Sequence, residues 1–258
     1  MRLIPRRRRR DRDGSMTVVE HLEELRKRIF IALVAVGLTS ILGFVFFDRI
    51  LDLLLRPYQE ALAQLPAAAR PPGALEGKLI YSGPIDPFLT FLKVGFFAGL
   101  LVALPIVLYQ IWAFVTPGLT RRERRLAVPF VASSVVLFGI GTWFAYTVIP
   151  RGLSFLLSFG GESLIPLLTV DRYIGFIILM TLAFGVSFEF PLIMIFLAGA
   201  RVITTTQMRR WRRYVYFGLV VFAAVITPTQ DPYTMLLMTV PLIVFYEVAV
   251  LVARMLKR

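Results

Sequence analysis

With 258 residues, 57% of them hydrophobic and 13% aromatic, and a mean hydropathy of +0.74, the chain carries more apolar surface than a soluble core of its size can hide, so it is a polytopic membrane protein. The absence of cysteine excludes disulfides, thiolate catalysis and cysteine-based metal sites, and a single histidine, His21, removes paired-histidine metal motifs. The net charge of +13 does not point to nucleic acid: 22 of the 29 lysines and arginines fall before the first apolar run, in 121–125, in 201–213 and after 252, the alternation that places both termini in the cytoplasm.

Runs of roughly 20 apolar residues, rather than alternating ten-residue strands, predict an all-α bundle and not a barrel. Residues 1–15 form a basic cytoplasmic tail with five consecutive arginines, Arg6 to Arg10. Adjacent arginines suit an export signal, but Asp11, Asp13, Glu20, Glu23 and Glu24 intervene before the apolar run, so the tail reads as a lipid-binding or orientation-setting segment. Residues 16–258 form one membrane domain. It opens with a short amphipathic helix over 17–28, with Val18, Leu22 and Leu25 on one face, acids early and bases late. At spacings of three and four, Glu23 reaches Arg26 and Lys27, and Glu24 reaches Lys27 and Arg28.

Six spans follow, at about 29–47, 88–114, 126–149, 173–200, 214–226 and 233–252. The outer loop 48–87 contains an interfacial helix over 50–65, kinked at Pro57, and then a Pro, Ala and Gly stretch. In the second span Pro105 marks a bend and Lys93 snorkels outward. The tight loop between spans two and three, T-R-R-E-R-R, holds Glu123 between two arginine pairs whose positions point away from it on a helix. Glu123 is therefore either a carboxylate free to meet a ligand at the membrane surface or a solvated loop acid. A small outer loop is expected over 150–171. In the fourth span Glu189 lies about 18 Å from Arg201, near mid-membrane, and must face the bundle interior, water or a partner, or carry a proton. Ser187 or Thr181 is its nearest local partner, and Pro191 frees the Ser187 carbonyl. The fifth span is too short for an ordinary bilayer. In the sixth, Glu247 lies within two turns of Arg254 and reads as a paired or snorkelling acid.

Five motifs, in order along the chain, resemble those of the TatC family, the polytopic subunit of the twin-arginine protein translocase. They are E-H-L-E-E-L-R-K-R (from Glu20), Y-Q-I-W-A-F-V-T-P-G-L (from Tyr109), R-E-R-R-L-A-V-P (from Arg122), F-G-V-S-F-E-F-P (from Phe184) and T-P-x-x-D-P (from Thr227). The resemblance implies a cupped, glove-like bundle of six transmembrane helices that binds twin-arginine signal peptides of folded proteins at its cytoplasmic face. By the same resemblance, Glu24 and Glu123 contact the paired arginines, His21, Arg26 and Phe114 belong to that site, and Glu189, Pro57, Phe88 and Asp231 serve translocation or assembly. It also implies single-span TatA-type and TatB-type partners, several copies in one complex, the proton motive force as driver, and a prokaryotic cytoplasmic membrane as location. Met235 stands where several family members carry a polar Gln, and the turn before it has one extra residue, with Gln230 nearby.

Two other readings compete. A proton- or ion-coupled transporter of small solutes would use Glu189 as its ion site and would need matched broken helices in two halves, whereas Pro105, Pro129, Pro191 and Pro241 show no such repeat. A membrane enzyme would need a nucleophile and base or metal ligands, which one His and no Cys do not supply. No catalytic residue, metal or cofactor is assigned.

Overall fold

The computed structural model describes residues 18–65, 79–115, 127–158, 168–227 and 232–255. These form helices α1 (Val18–Val45), α2 (Phe47–Gln64), α3 (Asp86–Val115), α4 (Ala127–Ser158), α5 (Val170–Phe188), α6 (Phe190–Gly199), α7 (Thr205–Arg210), α8 (Arg212–Ile226) and α9 (Pro232–Met255). No strand occurs among the described residues; an isolated bridge, in which Val170 N–H donates to the Ile80 carbonyl at 2.8 Å, ties the start of α5 to the segment before α3.

Among the described residues, five stretches are long and apolar enough to cross a membrane: Val19–Val45, Asp86–Phe114, Val128–Ser158, Val170–Gly199 and Pro232–Met255. The 15 residues of α8 extend roughly 22 Å, short of that length. The polar turns after residue 18 and the first apolar run make one continuous helix, so the acids near its start are carried rigidly by the membrane span. Where a loop is expected from residue 150, α4 continues through buried Pro150 to Ser158. Its extension has a reason: Ile149 and Leu153 are buried in the same core as Leu62 and Leu65 of the α2 end.

Small residues decide how closely the helices approach. A Cβ on Gly99 of α3 would lie 2.6 Å from the Ser40 backbone of α1, and one on Gly43 would lie 2.3 Å from the Gly95 carbonyl. Thr39 Oγ1 donates to the Gly99 carbonyl at 2.7 Å. Gly95-x-x-x-Gly99 is thus a close-approach stripe of the kind that packs membrane helices, where apolar burial supplies no drive. Gly141 and Gly185 bring α4 and α5 together in the same way, facing Phe184 and Phe138.

Packing then runs in series. Helix α1 lies chiefly on α3, α3 lies on α4 and α5, α6 and α8 lie on α9, and α2 lies across the end of α4.

Pro57 lies on the buried face of α2, beside Leu54, Tyr58 and Ala61. Lacking an N–H, it leaves the carbonyl of Leu53, four residues earlier, without its helical donor. Tyr146 of α4 supplies a hydroxyl to that carbonyl at 2.8 Å, and Tyr173 of α5 donates to the next one, Leu54 O, at 2.7 Å. The proline therefore frees one α2 carbonyl for the Tyr146 tether, and Tyr173 adds a second tether at the neighbouring carbonyl.

Candidate functional site

On α1, His21, Glu24 and Arg28 are spaced by three and four residues and share one helix face; on α3, Gln110 and Phe114 are four apart and share another. These faces meet. The His21 and Phe114 rings stack with centroids 4.2 Å apart and planes 15° from parallel. Arg28 donates from Nε to Glu24 Oε1 at 3.0 Å and from Nη1 to Gln110 Oε1 at 3.1 Å, so it joins the two helices through one guanidinium. Its Nη2 also donates to Glu24 Oε1.

Beside this contact opens a cleft of ≈ 1110 Å³, lined by Glu20, Glu23, Glu24, Arg26, Lys27 and Arg28 from the first turns of α1, with Phe30, Ile31, Tyr109 and Gln110 at its apolar edge. Both members of the Glu24–Arg28 pair are mostly buried, at 18% and 23% exposure. The second carboxylate oxygen, Glu24 Oε2, is buried and has no hydrogen-bond partner among the described residues. An acid in this state, half neutralised on one oxygen and uncompensated on the other, favours a further hydrogen-bond donor. Arg26 is exposed and lines the cleft. Glu123, the second acid of the sequence-based site, lies outside the described residues, as does Asp231.

Glu189 sits at the break between α5 and α6, with Pro191 in the first turn of α6, and is only 8% exposed. Its partner is not the local Ser187, whose hydroxyl donates to the Ala183 carbonyl at 2.6 Å. The Ser134 hydroxyl on α4 interacts with the Glu189 carboxyl instead, and itself receives Trp112 Nε1 at 2.8 Å. Glu189 Oε1 has no hydrogen-bond partner among the described residues. The Trp112 indole packs against Phe130 and Phe196, each with its centroid 5.1 Å away. Trp112 lies two residues from both Gln110 and Phe114, so the end of α3 presents one face to α1 and the opposite face to this interior polar chain.

Two further ionic contacts differ from local expectation. Lys93 pairs with Asp171 at 2.5 Å, joining the N-terminal parts of α3 and α5. Glu247 takes Arg212 at 2.5 Å and the Tyr216 hydroxyl at 2.6 Å from α8, rather than Arg254 on its own helix. Phe88 lies in the first turn of α3, 57% exposed, where the Asp86 carboxylate accepts the Ser82 and Gly83 N–H groups at 2.9 Å each.

Arg28, Gln110 and Ser134 were not singled out from the sequence as site residues. Gln110 had a usable signal, a lone amide four residues before Phe114 in an apolar run; Ser134 had none, since its importance depends on which way α4 faces.

Comparison with known proteins follows the same outline. The family model described as Sec-independent protein translocase protein (TatC) matches residues 20–241. The Sec-independent protein translocase protein TatC of Frankia casuarinae is 43% identical over 251 residues, covering 96% of this chain and 68% of that protein. That of Carboxydothermus hydrogenoformans is 35% identical over 246 residues, covering 95% and 96%. A crystal structure of a twin-arginine translocase receptor, TatC, superposes with a TM-score of 0.74 at 33% identity, covering 93% of this chain and 100% of that one.

Proposed function

The chain belongs to the TatC family of Sec-independent protein translocase proteins, and from that we propose that it is the receptor subunit of a twin-arginine translocase, reading paired arginines at the α1–α3 cleft. It is a multi-pass membrane protein and a translocase component by family. In this reading it lies in a prokaryotic cytoplasmic membrane with both termini in the cytoplasm, gathers TatA-type and TatB-type single-span partners in several copies, and works on the proton motive force.

The observation that carries the reading is Glu24: a mostly buried carboxylate at the edge of an open cleft, one oxygen held by Arg28 and the other with no hydrogen-bond partner among the described residues. A guanidinium presents a planar fork to a carboxylate, which an ammonium cannot reproduce. Glu24 takes one signal arginine and Glu123 the other. The stacked His21 and Phe114 tie α1 to α3 next to the Glu24–Arg28 pair, and Arg26, in the lining of the cleft, orients the approach. Apolar Phe30, Ile31 and Tyr109 continue the cleft toward lipid and give the hydrophobic part of a signal peptide a path away from water. Glu189, Pro57, Phe88 and Asp231 act after binding, in translocation or assembly. The small-solute transporter reading finds no support in the comparisons.

The test is affinity of the protein in nanodiscs for a signal peptide carrying Arg-Arg against the same peptide carrying Lys-Lys. Glu24→Gln should weaken Arg-Arg binding about ten- to a hundredfold, the worth of a hydrogen bond to a charged group, and Glu123→Gln should do the same while leaving membrane insertion and abundance intact. Equal binding of both peptides, untouched by either variant, would sink the receptor reading.

A further inference from the structure

Resting on the receptor reading, we infer that Arg28 is a built-in stand-in for a signal arginine, an autoinhibitory ligand that occupies Glu24 until a peptide displaces it. Three features of the geometry converge. Arg28 Nε and Nη2 both turn onto a single oxygen, Glu24 Oε1, so the carboxylate is taken by a guanidinium from its own helix. A fork-on-fork pair with an incoming arginine needs both carboxylate oxygens, and of these Oε1 is taken by Arg28 while Oε2 has no partner among the described residues. The third nitrogen, Nη1, is already bonded to Gln110 Oε1 across the helix boundary, so Arg28 has a place to remain when it releases Glu24. The exchange keeps the carboxylate paired: one guanidinium leaves it and another arrives, while Arg28 stays hydrogen-bonded through Nη1 to the neutral Gln110 amide.

The contact also protects the site. An unpaired, mostly buried carboxylate at a cytoplasmic cleft would attract any cation, including the exposed Arg26 and Lys27 beside it. With Arg28 in place, Oε1 is taken and Oε2 is buried, so a donor that makes one bond gains too little to open the pair, while a donor able to use both oxygens gains enough to drive the exchange.

The experiment is peptide affinity in nanodiscs for the parent, Arg28→Gln, Arg28→Lys, Lys27→Gln, Glu24→Gln and the Glu24→Gln/Arg28→Gln double variant. Arg28→Gln should tighten Arg-Arg peptide binding about tenfold, the worth of one charge-assisted hydrogen bond, and Arg28→Lys should fall between it and the parent. The tightening should vanish in the Glu24→Gln background, because the competition acts through that carboxylate. Lys27→Gln makes the same change in net charge on the same cleft and should tighten binding far less. Weaker binding in Arg28→Gln with Arg28→Lys restoring it would show that Arg28 instead holds Glu24 in position, and equal tightening in Lys27→Gln would reduce the effect to general charge; either result overturns the inference. Failure of the receptor reading is separate: there, Glu24→Gln itself leaves Arg-Arg binding unchanged.

Discussion

Glu24 and Glu189 occupy different environments, and their side chains predict different phenotypes. Glu24 borders an open cleft and is paired by a guanidinium, whereas Glu189 is held in the bundle interior by a neutral hydroxyl, Ser134, which Trp112 orients. Cleft residues come from α1 and α3, while Glu189 lies at the α5–α6 break. We therefore expect Glu189→Ala to leave Arg-Arg peptide affinity within about twofold while lowering export of a folded reporter, with thermal stability in detergent changed by about 1 kcal/mol for the lost hydrogen bond. Loss of peptide binding in this variant would move Glu189 into the recognition site. The depth of Glu189 was legible by counting residues from Arg201, but its partner was not, because a serine on another helix leaves no trace in local spacing.

Among the elements, the α1–α3 crossing controls the site most directly. Gly95 and Gly99 let the helix backbones approach closely, and that approach brings His21 onto Phe114 and Arg28 onto Gln110. Gly99→Leu places a Cβ against Ser40 backbone as well as its side chain, so the helices must part rather than repack. Overpacking of this kind costs about 1–3 kcal/mol. The expected outcome is a lower melting temperature together with weaker Arg-Arg peptide binding, whereas Gly139→Leu, where a Cβ meets nothing within 4 Å, should change neither. Unchanged peptide affinity in Gly99→Leu would mean that the cleft does not depend on this crossing. In α2, Pro57 was legible as a kink, yet its use is tertiary: Tyr146 and Tyr173 donate to the Leu53 and Leu54 carbonyls of its turn.

At the scale of the whole molecule, the receptor reading puts the acid-bearing turns of α1 and the basic α7–α8 segment on the cytoplasmic side of a bilayer, and α2 with its tyrosine tethers on the other. The cysteine-free sequence allows a clean check of that orientation. In intact cells, Tyr81→Cys should react with a membrane-impermeant maleimide added outside, and Thr206→Cys should react only after the membrane is opened; the reverse pattern would invert the topology and move the cleft out of the cytoplasm. Composition and the spacing of apolar runs by themselves determined the helical membrane class, the approximate spans, the charge asymmetry and the positions of the acids along the chain, because bilayer thickness and helix rise impose those lengths on any spanning segment. Tertiary structure alone decided that Arg28 holds Glu24 against Gln110, that Glu189 meets Ser134, that Lys93 meets Asp171 and that Glu247 meets Arg212. Those pairings depend on how each helix is rotated and how far it slides against its neighbour, and the small residues that set rotation and slide exert their effect only once two helices touch.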